Sequence, residues 1–302
     1  MAAISTHTAL PGAPEVAKGR RPPSRSFWQN VGRRLARDPV TLFCAALILA
    51  IVLAAIFAPL IAPADPYRTS MARRLLPVGS PRYLLGSDEL GRDILSRLIY
   101  GGRLSLFMGL TPVLIATCVG SLLGIVAGYA GGAVNSAIMR VIDVFYAFPS
   151  VLLAVAISGV LGAGMANTIF SLTLVFIPPI ARVAESVTVQ IQGQDYVEAA
   201  RATGAAGWRI VRSHVVPNVT GPIISYASSL ISVSIVLSSG LSFLGLGITP
   251  PEPEWGLMLN ALRQAIYVAP LNAVLPGVMI FVTSMCFNLM SDGLRSAMDV
   301  KQ

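Results

Sequence analysis

The chain has 302 residues, of which 54% are apolar and only 12% are charged, and its mean hydropathy is +0.71. Soluble domains of this length usually carry about a quarter charged residues, so the composition argues against a soluble enzyme and favours a helical membrane protein. The formal net charge is +8. The basic residues are spread over tails and loops without an aromatic-interleaved face, which argues against nucleic-acid binding.

Residues 1–39 form the first segment, which is rich in proline, serine and arginine and lacks the apolar stretch of a secretory signal peptide. We expect a basic tail in the cytosol. Its last part, RSFWQNVGRRLARD at residues 25–38, fits either an amphipathic helix at the membrane surface or a solvated linker. The sequence leaves both interpretations open.

Six apolar segments follow, each of about twenty residues, which is the length that a helix needs to cross a bilayer. They predict transmembrane helices at residues 40–62, 104–129, 144–162, 166–184, 220–246 and 270–290. The fold class is therefore an all-α polytopic membrane protein with six transmembrane helices. In the second of them, Gly120, Gly124 and Gly128 share one face and predict a close approach by another helix.

The distribution of basic residues predicts how these helices are oriented. Fourteen Lys and Arg residues fall on the side of the N-terminus and eight on the other side, which places both termini in the cytosol. The predicted division is a first transmembrane helix at 40–62, an extracytoplasmic loop at 63–103, a core of five transmembrane helices at 104–290 that contains a cytosolic polar loop at 186–219, and a cytosolic tail at 291–302.

The sequence lacks the residues of several kinds of active site. Its only lysines, Lys18 and Lys301, do not follow a glycine-rich phosphate loop, and its only histidines are His7 and His214. The three cysteines are scattered over separate predicted helices, with no spacing typical of a metal site or disulfide framework. We therefore expect no catalytic residue, no metal site and no cofactor in this chain.

The charged residues nearest the membrane lie towards the ends of the predicted helices. Arg140 with Asp143, and Arg182 with Glu185, are three residues apart and are expected to pair locally. Ion-coupled carriers usually place ionisable groups at mid-depth. The energy for any transport is therefore expected to come from elsewhere than these helices.

The polar loop contains DYVEAARATGAAGWRIVRSHVVPN at residues 195–218. Asp195 is expected to cap a first helix, with Glu198 reaching back in a capping box. Gly204 suits a left-handed residue just after that helix. A second helix is predicted at Trp208–Val215 and is expected to end at Pro217.

This loop resembles the EAA loop of ABC-type importer permeases, whose pattern is Glu-Ala-Ala, three residues, Gly, nine residues and Ile-x-Leu-Pro. The residues that match are Glu198, Ala199, Ala200, Gly204 and Pro217, whereas His214 and Val216 replace the apolar pair. The similarity extends to LGSDELGRDILSRLIYGGRLSL (85–106), RVIDVFYAFPSVLLA (140–154), LSFLGLGITPPEPEWGLML (241–259) and FNLMSDGLRSAMD (287–299). All four segments are similar to the C-type permease subunit of the dipeptide/oligopeptide/nickel group.

The resemblance implies a type I ABC importer permease fold in a bacterial cytoplasmic membrane. It implies four kinds of partner: a homologous permease subunit in a heterodimer, two cytosolic ATPase subunits that bind ATP and Mg, an extracytoplasmic substrate-binding protein and the lipid bilayer. The loop would be the coupling helix that docks on an ATPase, through Glu198, Ala199, Ala200, Thr203, Gly204 and Pro217. Short peptides, including glutathione-like ones, are the expected substrates, and nickel chelates are an alternative.

Two further sites are expected. Ser238, Ser239 and Ser242 are candidates for lining a translocation path, or else bond to their own helix backbone. Glu254 and Trp255 are candidates for contacting the binding protein, or else form an aromatic belt position beside a solvated acid. Two other classes of protein remain open: a secondary carrier or channel that does not use ATP, and a non-transporting scaffold that recruits a soluble partner.

Overall fold

The computed structural model describes residues 27–298, and the side chains of residues 31–298. Residues 1–26 of the predicted tail and the last four residues, 299–302, lie outside this range. Within the described range the secondary structure is helical, and its only β pairing is an isolated bridge between Ser87 and Asp93.

The described helices are numbered in chain order. Five of them are long and apolar enough to cross a membrane: α2 Pro39–Ile56, α4 Ile94–Ala130, α7 Met165–Gln192, α10 Val216–Phe243 with its preceding turns from Gly207, and α12 Pro270–Met298. The other helices are α1 Phe27–Leu35, α3 Ala58–Ile61, α5 Gly132–Tyr146, α6 Ser150–Leu161, α8 Asp195–Ala202, α9 Gly207–Ile210 and α11 Trp255–Ala261.

The third predicted transmembrane helix, 144–162, is not one straight helix. The chain bends by 86° between α5 and α6, and the described part contains six spans only if this pair is counted as one. Pro149 has an extended backbone and precedes the first residue of α6. Because a proline disfavours helical geometry in the residue before it, Phe148 cannot continue α5.

Several helix boundaries also differ from the prediction. α4 begins at Ile94 instead of residue 104, α7 continues to Gln192 past 184, and α12 continues to Met298 past 290. The N-terminal turns of α4 contain Ser96 and Arg97, which lower the hydropathy although both are buried against polar loops. Hydropathy indicates whether a segment is apolar enough to lie in lipid. It does not identify these helix ends, because they pack against protein.

The close helix contact predicted from the glycines of α4 is made with α7. A methyl group added at Gly120 would lie 2.9 Å from the carbonyl oxygen of Ile177, and one added at Gly128 would lie 2.8 Å from Cβ of Thr188. At Gly124 the added group would overlap the carbonyl oxygen of Ala181. The two backbones therefore touch along three turns, and α4 with α7 forms the central pair of the bundle.

The local ion pairs predicted from sequence are replaced by pairs between helices. Arg182 of α7 pairs with Asp143 of α5, and both side chains are about half exposed. Glu185 accepts a hydrogen bond of 2.8 Å from the side-chain amide of Asn135. Because α5 lies beside α7, partners on the neighbouring helix are closer than those predicted three residues away, and these contacts hold the bent pair against the bundle.

Candidate functional site: the coupling loop

The coupling loop, residues 193–215, projects from one end of the bundle. The N-cap of α8 is Gln194, whose carbonyl accepts bonds from the backbone N–H of Val197 (2.9 Å) and Glu198 (3.2 Å). The capping box predicted for Asp195 and Glu198 is therefore wrong, because Asp195 is already the first helical residue. Both carboxylates lie in the first turn, where they interact favourably with the positive end of the helix dipole.

The end of α8 agrees with the prediction. Gly204 has a φ of +79°, the left-handed conformation that glycine adopts without steric cost. The backbone N–H of Gly204 donates to the carbonyl of Arg201 (2.9 Å), and that of Ala205 donates to the carbonyl of Ala200 (3.1 Å). These two bonds form a Schellman motif, so α8 ends in a fixed turn.

The second helix does not end at Pro217. It consists of α9 followed by a π-helical turn at Val211–Val215, and it continues directly into α10. In this wider turn the backbone N–H of Val216 donates to the carbonyl of Val211. The wider turn lets a helix accommodate a proline that would otherwise clash with the carbonyl four residues before it. The coupling loop is therefore continuous with a long bundle helix.

The predicted docking residues lie on the outer face of this loop, except Pro217, which follows it in the first turn of α10. Glu198, Ala199, Thr203, Gly204 and Pro217 are exposed, and Ala200 is half-buried. The opposite face carries Val197, Ile210 and Val215, which are buried in the same hydrophobic cluster as Ile191 of α7. Apolar anchors thus fix the loop to the bundle, and a thin face of small residues remains available to a partner.

A polar tether that sequence reasoning missed connects α8 to the α4–α7 pair. The Arg201 guanidinium donates to the side-chain carbonyl of Gln192 (2.6 Å), and the Gln192 amide donates to the backbone carbonyl of Gly128 (2.6 Å). Arg201 also lies 5.9 Å from the ring centre of Tyr129. These contacts connect α8 to the C-terminal ends of α4 and α7.

Sequence reasoning also missed Trp208, whose residue surface is 69% exposed. Its ring lies beneath the guanidinium of Arg212, 5.4 Å away. A tryptophan in an otherwise polar loop is the sequence signal that indicates this position, because exposed aromatic residues beside arginine are common at protein interfaces.

The three candidate path serines lie inside the chain. Ser238, Ser239 and Ser242 are buried, and the hydroxyl of Ser238 donates to the backbone carbonyl of Ile235 (3.1 Å). Gly256 packs directly on the backbone of Ser239. Ser238 therefore bonds to its own helix backbone, which was the alternative to lining a path. None of the three serines lines an open groove in this structure.

Glu254 and Trp255 are 1% and 0% exposed, so neither side chain lies at a surface where it can contact another protein. Glu254 accepts bonds of 2.8 Å from two backbone N–H groups of α11 and one of 3.1 Å from the Ser105 hydroxyl. The Trp255 ring nitrogen donates to the carbonyl of Leu98 (2.9 Å). The structure corrects the predicted contact: these residues hold α11 against α4, and burial raises the pKa of Glu254.

The two loops at this end, residues 62–93 and 244–254, form one polar cap. Arg97 of α4 is buried, and its guanidinium donates to the carbonyls of Pro66 (3.0 Å), Pro251 (3.3 Å) and Glu252 (3.3 Å). The carboxylate of Asp88 lies 3.5 Å from the same guanidinium. Since these acceptors come from both loops, Arg97 fastens the polar cap to the bundle.

Two family profiles match the chain. Residues 120–301 match the family described as "Binding-protein-dependent transport system inner membrane component". Residues 26–77, which include α2, match the "N-terminal TM domain of oligopeptide transport permease C". These matches confirm the resemblance that was inferred from the coupling loop.

Relatives match over nearly their whole length. The glutathione transport system permease protein GsiD of Pectobacterium atrosepticum is 40% identical over 94% of this chain and 93% of its own. The di/tripeptide transport system permease protein DppC of Pseudomonas aeruginosa is 42% identical over 92% of each chain.

Among solved structures, the inward-facing MetNI methionine ABC transporter matches with a TM-score of 0.55 and 18% identity, over 68% of this chain and 97% of that one. An identity this low shows the fold alone, and that fold is the one expected for an ABC importer permease. Together with the sequence matches, it establishes that this multi-pass helical membrane chain belongs to the family of binding-protein-dependent transport system inner membrane components.

Proposed function

We propose that this chain is a permease subunit of an ATP-driven importer of short peptides, and that α8 is its coupling helix. The observation that carries the proposal is the construction of the coupling loop, which has an exposed face of small residues and a buried face anchored in the bundle. The relatives are named as permeases of glutathione and di/tripeptide transport systems, which supports peptides as the substrate class. The chain itself would perform no covalent chemistry.

The proposed partners are a homologous permease subunit and two cytosolic ATPase subunits that hold ATP and Mg. Closure of the ATPases would move the docked α8, and the tether through Arg201 and Gln192 would pass this motion to α4 and α7. α7 carries Pro178 and Pro179 within its length, where the missing backbone donors weaken the helix and favour bending. The coupling loop and both termini would then lie in the cytosol.

At the opposite end the polar cap would receive the binding protein. It contains a cavity of about 700 Å³ whose lining includes Arg68, Arg73 and Arg82, and the Arg73 guanidinium lies 3.5 Å from the hydroxyl oxygen of Tyr83. The lining also contains Asp65 and Asp93, so that the three arginines leave a net positive charge. A net positive surface on a cap held by Arg97 suits docking of an acidic surface, because complementary charge accelerates association. The cap surface thus replaces Glu254 and Trp255 as the proposed contact.

Co-purification tests the coupling role. The tagged chain is purified from host membranes in mild detergent as wild type, Glu198→Lys and Asp195→Lys, and the accompanying proteins are identified by mass spectrometry. Asp195→Lys removes the same charge from the same helical turn and controls for weakening of α8. We expect ATPase subunits with the wild type and the control but not with Glu198→Lys, while the second permease remains in all three.

Two results would contradict the proposal. If the wild type is purified without any ATPase, the chain is not part of such an importer under these conditions and a carrier becomes the better description. If Glu198→Lys retains the ATPase as well as the control does, α8 does not dock through this residue. Uptake of labelled glutathione and dialanine into reconstituted vesicles then measures which peptide is carried.

A further inference from the structure

An apolar groove runs along α12 at the end of the bundle remote from the coupling loop. It is bounded by α12, the end of α10, and the segment from α11 to residue 267, and has a volume of about 560 Å³. The lining residues are Phe243, Leu259, Arg263, Ile266, Ala273, Val274, Gly277, Val278 and Phe281. The groove is therefore apolar throughout, apart from a single arginine.

The groove spans most of the depth of one leaflet of a bilayer. The α12 residues that line it run from Ala273 to Phe281, which corresponds to roughly 12 Å at 1.5 Å per residue. Half of a hydrocarbon core is roughly 15 Å. Gly277 has no side chain to fill the groove, and the nearest atom to an added methyl group would be Cδ1 of Leu259 at 3.7 Å.

Arg263 lies at the mouth of this groove. It is exposed, and it takes part in none of the ion pairs found among residues 27–298. Tyr267, four residues further on, is 91% exposed, as expected for an aromatic residue at the boundary between hydrocarbon and headgroups. A guanidinium at this depth is placed to bind phosphate oxygens through two N–H groups.

We propose that the groove is a binding site for a phospholipid, with the phosphate on Arg263 and one acyl chain lying along α12 to Phe281. A phospholipid phosphate would neutralise Arg263, for which the described residues supply no carboxylate. The apolar lining below the arginine suits the acyl chain of the same molecule. This site does not depend on which substrate the chain transports.

Thermal unfolding of the purified complex, with and without added phosphatidylglycerol, tests the proposal. We expect the lipid to raise the midpoint of the wild type by about 3 °C or more, because a ligand that binds only the folded state stabilises it. Arg263→Gln should lose most of this shift by removing the phosphate contact. Gly277→Leu should lose it by filling the groove, and Arg82→Gln, on the polar cap, should keep it.

A second measurement remains informative if a variant folds poorly. Brominated phosphatidylglycerol quenches nearby tryptophan, so Phe281→Trp should be quenched at low mole fractions of this lipid and then saturate. Phe43→Trp, on the exposed face of α2, should be quenched in proportion to the mole fraction, as expected for bulk lipid. When Arg263→Gln is combined with Phe281→Trp, quenching should rise in proportion to the mole fraction of the lipid and should no longer saturate.

Three results would overturn the lipid site. The first is an unchanged stabilisation by phosphatidylglycerol in both Arg263→Gln and Gly277→Leu. The second is proportional quenching of Phe281→Trp in the otherwise unmodified chain, which would mean bulk lipid only. The third is the absence of any quenching of Phe281→Trp, which would mean that a second protein subunit covers the groove.

Discussion

Gly204 shows how one residue shapes the coupling loop. Its positive φ allows the two hydrogen bonds that close α8, and nothing lies within 4 Å of the position where a side chain would begin. A larger residue would therefore meet no steric obstacle around it, and only its backbone conformation would be strained. The turn after α8 depends on glycine for that reason.

We expect Gly204→Ala to weaken binding of the ATPase subunit by about 5- to 30-fold, because a left-handed alanine costs roughly 1–2 kcal/mol. Gly193→Ala is the matched control, since Gly193 flanks the other end of α8 with a φ of −83°, and the nearest atom to an added methyl group would be the carbonyl oxygen of Gln190 at 3.8 Å. Titration of the detergent-solubilised permease with the ATPase gives both affinities. Equal affinities for the two variants would show that the turn does not determine docking.

Glu254, at the opposite end of the bundle, shows how neighbouring residues change the pKa of a side chain. Burial raises its pKa above the usual value of 4.5, although the hydrogen bonds from Gly256, Leu257 and Ser105 oppose this effect. A carboxyl group whose folded pKa is raised contributes stability that is present at low pH and is lost as the pH rises through the folded pKa. The anchoring of α11 is therefore expected to weaken as the solution becomes less acidic.

Thermal unfolding from pH 4 to pH 8 checks this expectation with Glu254→Gln, which keeps the size and one acceptor oxygen but does not ionise. As the pH rises above the usual glutamate value of 4.5, the wild type should lose stability relative to the variant. Glu89→Gln, elsewhere in the polar cap, controls for removal of an acid and should follow the wild type. A constant difference between wild type and Glu254→Gln at all pH values would contradict the argument.

At the scale of elements, the α4–α7 pair depends on three glycines that allow backbone contact. At Gly124 an added methyl group would overlap the carbonyl of Ala181 and lie 2.9 Å from the backbone nitrogen of Glu185. Backbone atoms cannot move aside as a flexible side chain can, so the two helices would have to separate. Separation would also disturb Gly128, which accepts one end of the tether to α8.

We therefore expect Gly124→Ala to destabilise the protein by about 1–3 kcal/mol, the range found for overpacking in a close-packed interior. Gly240→Ala is the control, because Gly240 lies in α10 with open space around it. That substitution should be neutral or stabilising by up to about 1 kcal/mol, since alanine favours a helix. Unfolding in detergent measures both, and similar losses in the two variants would refute close α4–α7 packing as the cause.

At the scale of the whole molecule, the coupling loop and the polar cap lie at opposite ends of one bundle. α4, α7 and α10 run between these ends, and the tether from α8 reaches α4 and α7. A rigid cap at one end and an anchored loop at the other suit a subunit in which the helices transmit the movement. Loss of the tether should therefore separate docking from transport.

We expect Arg201→Ala to keep the ATPase bound while peptide uptake per ATP hydrolysed falls about 5-fold or more, because removal of a charged hydrogen-bonding partner costs roughly 1.5–3 kcal/mol. Arg209→Ala, an exposed arginine in the same loop, should leave this ratio unchanged. Reconstituted vesicles with the ATPase and binding protein provide both rates. A parallel loss of docking in Arg201→Ala would show that this residue belongs to the docking face instead.

Much of the fold was predictable because it depends on local chemistry. Apolar runs of about twenty residues identify the membrane helices through the cost of placing polar groups in hydrocarbon. The helical character of α8 and the left-handed turn at Gly204 follow from the properties of alanine and glycine. The docking face was predicted from its resemblance to a family, since composition alone does not indicate a partner.

Other features depended on which surfaces meet. The buried positions of Glu254 and Trp255, the exchange of partners by Arg182, and the tether through Gln192 each require contacts between segments far apart in sequence. The sequence by itself determined a helical membrane protein with an EAA-type loop, because those signals lie within short segments. Only the tertiary structure decided which polar residues are buried anchors and which are exposed, because burial is a property of packed neighbours.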